Sequence, residues 1–154
     1  MILDADLRAL LALLTEHRVE YLVVGGHAVA FHGYPRFTED LDLYLRPEPE
    51  NASRVIAALE TFGFASLGLT AADFVADDRV VQLGRAPNRV DLLTRLWGVD
   101  FDDAWSRRVG GKLGDVAVWI LSRPDLIRNK RATGRPQDLA DAAALEALED
   151  PTQS

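Results

Sequence analysis

The chain has 154 residues, of which 48% are hydrophobic and 27% charged, and this length predicts one domain over residues 1–150 with a frayed tail at 151–154. It contains no cysteine, which excludes disulfides and thiolate metal sites and fits a reducing cytoplasm. Its formal net charge of −7 argues against nonspecific DNA binding.

An amphipathic helix is predicted over residues 4–17, where leucines recur at helical spacing and form one apolar face that can cover a sheet. The chain begins with early acids and no basic segment, which is a poor match to a signal peptide. No apolar run approaches the roughly 20 residues that span a bilayer, so no membrane partner is expected.

Residues 21–32 predict a buried strand, a tight turn and a short helix. The strand Tyr21–Val24 is continuous and apolar. Gly25 and Gly26 follow it and leave the backbone bare where it must turn sharply or approach a ligand. A helix beginning at His27 would then offer free N–H groups that can hold a phosphate.

The second strand, Asp40–Leu45, alternates acidic and apolar residues. Its period of two places Asp40 and Asp42 on one face, about 6.6 Å apart, and three leucines on the other. Two like charges on one face are unfavourable unless a positive charge lies between them. A pair of Mg²⁺ ions about 3.5–4 Å apart, or Mn²⁺ in their place, would supply that charge.

The middle of the chain predicts a helix to about Phe62 and a hairpin of strands Arg79–Leu83 and Arg89–Thr94. Between them, we expect a short strand at 64–67 and a helical turn at 70–76 that is capped by Thr70. In the hairpin, Asp91 is a third strand carboxylate that could lie beside Asp40 and Asp42.

The last third predicts a helix at 101–108 broken by Gly110-Gly111, a last strand at 116–121, and helices that open at Ser122 and Pro136. Eight bases against two acids occur between Trp105 and Arg135. Such a segment suits polyphosphate binding, but for most of these bases we prefer the interpretation that they lie on solvated helix surface.

The ordered combination of an apolar strand, Gly-Gly, a spacer and Asp-x-Asp resembles the DNA polymerase β-type nucleotidyltransferase superfamily. The fuller strings, GGHAVAFHG from Gly25 and RFTEDLD from Arg36, resemble the branch of AbiEii/AbiGii-type toxin nucleotidyltransferases. Lys130, Asp138 and Asp141 also resemble that branch's C-terminal motif, with Gln137 where a basic residue is usual.

This resemblance implies an α/β (α+β) fold, a mixed sheet flanked by helices. It also implies that Asp40, Asp42 and Asp91 bind two Mg²⁺ ions and act in catalysis. The nucleotide-binding set is expected to comprise Gly25, Gly26, His27, Arg36, Thr38 and Lys130.

The implied reaction moves an NMP from an NTP to an acceptor. The branch implies tRNA or a protein as acceptor, in a toxin–antitoxin or phage-defence setting with an antitoxin or other partner protein. One alternative is an antibiotic nucleotidyltransferase, for which Asp73, Asp77 and Asp78 are the candidate acids for a cationic drug. Another is a catalytically silent binding partner that keeps the scaffold.

Overall fold

The computed structural model describes residues 5–35, 38, 40–64, 67–84 and 89–148. These residues form six strands: β1 (Tyr21–Val24), β2 (Asp40–Leu45), β3 (Val80–Leu83), β4 (Arg89–Leu93), β5 (Val109–Leu113) and β6 (Val116–Ile120). They also form six α-helices: α1 (Ala5–Glu16), α2 (Gly25–Phe31), α3 (Pro49–Phe62), α4 (Phe101–Ser106), α5 (Arg123–Thr133) and α6 (Pro136–Ala147).

The strands make one mixed sheet in the order β3-β4-β2-β1-β6-β5. Strand β2 lies inside it, antiparallel to β1 and parallel to β4. Helix α1 packs against α3, α5 packs against α6, and α2 packs against β1 and β2. The predicted mixed sheet flanked by helices is therefore confirmed.

The alternation of acidic and apolar residues in β2 buries the apolar residues, as predicted. Leu41, Leu43 and Leu45 are fully or almost fully buried in the core. Burying each leucine side chain contributes about 1.5–3 kcal/mol, so this face of β2 anchors the strand. The register of β2 is thereby set, because a slip by one residue would turn these leucines out and the acids in.

Local signals set the ends of the helices much as the sequence predicts. Helix α1 buries its leucine face. The side chain of Ser122 caps α5 by accepting a hydrogen bond from the N–H of Asp125. Asp100 caps α4 in the same way, through the N–H of Asp103. Thr70 caps a 3₁₀ helix at Ala71–Phe74, where a helical turn is predicted.

The helix predicted at 101–108 ends before Gly110-Gly111, as expected, but no strand was predicted at these glycines. Both glycines lie in β5, which pairs antiparallel with β6 along its whole length. A Cβ atom at Gly111 would lie 2.5 Å from Cε2 of Phe31 and 2.7 Å from Cδ1 of Ile120. The glycine therefore permits close packing, and pairing with β6 overrides its low strand propensity.

Smaller differences concern element ends and loops. Helix α2 begins at Gly25 rather than His27. Phe64 and Leu67 lie in no strand, and residues 65 and 66 of the strand predicted there lie outside the described residues. The β3–β4 hairpin is confirmed, whereas its predicted turn at 85–88 and the predicted tail lie outside the described residues.

Candidate functional site

Two parallel strands bring the three predicted carboxylates together. In the β2–β4 register, Asp42 lies opposite Asp91, and Asp40 lies opposite Arg89. Neighbouring strands are about 4.8 Å apart, so side chains of paired residues on one face are close neighbours. The sheet therefore gathers Asp40, Asp42 and Asp91, which are separated by up to 51 positions in the sequence, on one face.

Arg89 bridges two of these carboxylates. Its Nη2 donates to Oδ2 of Asp40 at 2.9 Å and to Oδ2 of Asp91 at 3.1 Å. Its Nε lies 3.0 Å from Oδ1 of Asp91. The predicted site did not include Arg89, although its position two residues before Asp91 on one strand face was a usable signal.

The surroundings of Asp42 disfavour its ionised form. Its pKa is raised from the ordinary value of 3.8 to about 6, first by burial and then by the carboxylates of Asp91 and Asp40. The positive charges of Lys130 and Arg89 oppose this rise without cancelling it. The site therefore has an excess of negative charge around Asp42.

Gly25 makes room for Asp42. A Cβ atom at Gly25 would overlap Oδ2 of Asp42, and the backbone has a φ of +67°, which favours glycine. At Gly26, a Cβ atom would lie 2.9 Å from Cβ of Thr38. The predicted Gly-Gly turn is thus in direct contact with the acidic strand and the residue leading into it.

Thr38 shapes the entry to β2. Its hydroxyl lies 3.2 Å from the carbonyl oxygen of Asp40, to which it donates, and 3.4 Å from the N–H of the same residue. These contacts fit the predicted loop-shaping role. Arg36, predicted to act beside it, lies outside the described residues.

His27 lies in α2, close to this group. Only 8% of the residue is exposed, and its Nδ1 has no hydrogen-bond partner among the described residues. Burial lowers the pKa of His27, and the carboxylate of Asp40 partly opposes that effect. The imidazole is therefore neutral at pH 7.

Lys130 lies buried in α5, where two aspartates of α6 hold it. Its Nζ is 3.5 Å from Oδ1 of Asp138 and 3.3 Å from Oδ2 of Asp141. Gln137, at the position where the resembling motif is basic, donates to Oδ1 of Asp141 at 2.9 Å. The C-terminal motif thus positions the ammonium group of Lys130, whose positive charge acts to lower the pKa of Asp42.

The three carboxylates fit a divalent cation in chemistry and in charge. Carboxylate oxygens are hard ligands of the kind Mg²⁺ prefers, and the raised pKa of Asp42 shows that a further positive charge would be favourable. As the side chains stand, the described residues include no group of three acidic or histidine side chains arranged to hold a metal ion. The guanidinium of Arg89 instead lies against Asp40 and Asp91.

A cavity of about 240 Å³ opens beside His27. It lies between α2 and the β5–β6 hairpin and is lined by His27, Ala30, Phe31, Lys112, Leu113 and Gly114. A larger cavity of about 440 Å³ lies by Trp105 and Trp119 and has none of the three carboxylates in its lining. The smaller cavity also has none of them in its lining, but it does include His27, one of the residues predicted to bind the nucleotide.

Residues 1–149 match the family described as a nucleotidyltransferase of unknown function (DUF6036). The chain belongs to this nucleotidyltransferase family. It is accordingly an enzyme that transfers nucleotidyl groups, with an NTP as the substrate that the fold implies. The prediction of a nucleotidyltransferase is therefore confirmed, whereas the AbiEii/AbiGii-type branch stays a prediction.

Two solved structures share the fold. The lincosamide antibiotic adenylyltransferase LnuA, with lincomycin bound, has a TM-score of 0.56 and 14% identity, over 96% of this chain and 99% of that chain. An antigenic nucleotidyltransferase-like protein from Paracoccidioides brasiliensis has a TM-score of 0.55 and 16% identity, over 94% and 75%. No curated protein matches the chain in sequence.

In this nucleotidyltransferase, most bases of the segment at 105–135 contact internal partners. Arg107 and Arg128 both pair with Asp125, at 2.9 and 2.6 Å. The other contacts are Arg108 over Trp105 and Trp119, Arg123 with the carbonyls of Leu145 and Leu148, Arg131 with Glu146, and Arg135 with Asp138. For these bases, a structural role explains the composition better than polyphosphate binding.

The nucleotidyltransferase has, in the part of the chain that the structure describes, no helix long and apolar enough to cross a membrane.

Proposed function

We propose that the protein is a Mg²⁺-dependent enzyme that transfers an NMP from an NTP to a hydroxyl group of a small acceptor molecule. The observation that carries the proposal is the placement of Asp42 beside Asp91 and two residues from Asp40, with unbalanced negative charge. Such a group of carboxylates is built to receive cations.

In the proposed reaction, the acceptor oxygen forms a bond to the α-phosphorus of the NTP. The bond from that phosphorus to the oxygen bridging the α- and β-phosphates breaks, and pyrophosphate leaves. Bound Mg²⁺ would supply charge neutralisation of the phosphates and a lower pKa for the attacking hydroxyl. Asp40 and Asp42 would hold both ions, and Asp91 would hold the catalytic one.

The protein's own groups position the reactants. Asp91 orients the acceptor hydroxyl or takes its proton, which is then lost to solvent. The bare backbone at Gly25, Gly26 and His27 cradles the β- and γ-phosphates beside β2. Lys130, whose positive charge acts on Asp42, is our candidate for a phosphate contact.

The charge of the chain favours a small acceptor over tRNA. Binding a phosphate backbone depends on positive charge, whereas the chain has a formal net charge of −7. LnuA, whose structure contains lincomycin, spans a similar length of chain.

The acceptor is not required to be cationic. Two of the three acids suggested for a cationic drug already pair with arginines, since Asp73 pairs with Arg79 at 3.1 Å and Asp77 pairs with Arg95 at 3.3 Å. The toxin–antitoxin setting, with tRNA or protein as acceptor and an antitoxin as partner, stays a prediction from the resembling motifs, as does a cytoplasmic location.

The test is transfer of label from each of the four α-³²P-labelled NTPs, with Mg²⁺, to hydroxylated antibiotics, total tRNA or cell protein in separate reactions. We expect label on a small acceptor, and at least a hundredfold less with Asp42→Asn, because a metal ligand is lost. Asp115→Asn is the matched control, since it removes the same charge from an exposed residue that pairs with Arg8.

The outcomes separate the hypotheses. Label on tRNA or protein, lost with Asp42→Asn, would overturn the small acceptor and favour the toxin-like function. Transfer that persists with Asp42→Asn would overturn the proposed site. Binding of NTP with no transfer to any acceptor would favour the silent binding partner.

A further inference from the structure

Arg89 lies where a positive charge is needed among the three carboxylates. Building on the proposed function, we propose that Arg89 is a positioning residue that acts as the counter-ion of the metal-free site and must leave when a divalent cation enters. It therefore weakens the binding of free metal ions and links metal entry to NTP binding.

The Arg89 guanidinium occupies the place that a divalent cation would take between Asp40 and Asp91. The Arg89 guanidinium contacts Asp40 and Asp91 on the two strands at distances of 2.9–3.1 Å. A cation bound by these two carboxylates needs the same oxygen atoms. The arginine and a metal ion therefore cannot bind these oxygen atoms at the same time, and in the structure the arginine binds them.

The guanidinium can leave without disturbing the core. Arg89 is the first residue of β4, and its side chain is 34% exposed, whereas that of Asp91 is only 12% exposed. The long side chain therefore has access to solvent. One guanidinium charge also cannot neutralise three carboxylates, so a doubly charged ion is the better counter-ion once it is delivered.

The triphosphate gives the displaced charge a new partner. A guanidinium released from Asp40 and Asp91 can donate to phosphate oxygens that arrive with the nucleotide. Metal binding then becomes more favourable in the presence of NTP, and NTP binding becomes more favourable in the presence of metal by the same factor. Arg89 thus disfavours a metal ion bound without its substrate.

The experiment measures Mn²⁺ binding by electron paramagnetic resonance, with and without a non-hydrolysable NTP analogue, at fixed ionic strength. Arg89→Gln is compared with the wild type and with Arg79→Gln. Arg79 is an exposed partner of Asp73, so both variants change the net charge equally. Arg89→Lys keeps the charge without the forked donors, and thermal unfolding in EDTA checks that each variant is folded.

We expect Arg89→Gln to bind free Mn²⁺ about tenfold more tightly than the wild type, because one nearby positive charge is removed. The gain in Mn²⁺ affinity on adding the NTP analogue should be smaller in this variant. Arg79→Gln should stay within about twofold of the wild type, because its charge is remote and screened. Arg89→Lys should lie between wild type and Arg89→Gln.

Unchanged or weaker Mn²⁺ binding by folded Arg89→Gln would overturn the inference. If Arg89→Gln does not fold, a free Mn²⁺ affinity of Arg89→Lys equal to or weaker than that of the wild type would overturn it. Asp42→Asn in the same assay tests the proposed function separately. Loss of Mn²⁺ binding in Asp42→Asn without a gain in Arg89→Gln refutes the role of Arg89 alone, whereas equal binding by wild type and Asp42→Asn refutes the metal site itself.

Discussion

Replacing Asp42 with asparagine should stabilise the metal-free protein at neutral pH while abolishing nucleotidyl transfer. Asparagine keeps the shape of the side chain and removes its charge. Asp42 is partly buried beside two further carboxylates, so its ionised form is unfavourable in the folded protein. A residue that stabilises the fold when neutralised, yet is needed for activity, is characteristic of a functional site.

The magnitude follows from the pKa of Asp42. A change from 3.8 to about 6 corresponds to about 3 kcal/mol, since each pH unit is worth about 1.4 kcal/mol. Because the side chain is only partly buried, we expect about 2 kcal/mol at pH 8. The native state holds this proton more tightly than the unfolded chain, so this group lowers the free energy of unfolding as pH rises from about 4 to about 6.

The assay is urea unfolding in EDTA at pH 4.5 and pH 8, for the wild type and Asp42→Asn. At pH 4.5 the difference should be about a third of that at pH 8, because Asp42 is still mostly protonated in the folded wild type but already mostly ionised in the unfolded chain. At pH 8, Asp42→Asn should be more stable by about 2 kcal/mol. Mg²⁺ should then stabilise the wild type and leave Asp42→Asn largely unaffected.

The reasoning is refuted if Asp42→Asn is less stable than the wild type at pH 8. A difference in the free energy of unfolding that is the same at both pH values would also refute it, because the effect must follow the titration of Asp42. Asp115→Asn controls for the change in net charge, since that carboxylate is exposed and paired with Arg8.

Two further substitutions test the packing around the site. Gly25→Ala should lower the free energy of unfolding in urea by about 1–3 kcal/mol more than Gly68→Ala does. Both glycines have a φ near +67°, but an added Cβ would overlap Asp42 at Gly25 and would have no atom within 4 Å at Gly68. Equal losses would mean that the carboxylate beside Gly25 can simply move. Lys130→Met should lower the free energy of unfolding by about 3–5 kcal/mol, because it leaves two buried aspartates of α6 without their shared cation. Arg131→Met removes an exposed pair with Glu146 and should cost under about 1 kcal/mol; similar losses for the two variants would contradict the structural role of Lys130.

Local patterns were sufficient to predict most of the fold. The period of two in β2, the leucine spacing of α1 and the cap at Ser122 each act within a few residues, so their effects can be read along the chain. Strand β5 was missed because its glycines have low strand propensity and its pairing with β6 lies outside any local pattern. The roles assigned to Asp40, Asp42 and Asp91 stay predictions, while their proximity is a feature of the β2–β4 register.

The sequence alone determined that Asp40 and Asp42 share one strand face, because strand geometry depends only on neighbouring residues. It also determined that a glycine turn precedes them. Only the tertiary structure decided that Arg89, which is close to Asp91 in the chain, also contacts Asp40, and that Arg107 and Arg131 pair with distant acids. These contacts join residues far apart in the chain, and a charge in a sequence carries no information about which opposite charge will lie within hydrogen-bonding distance of it.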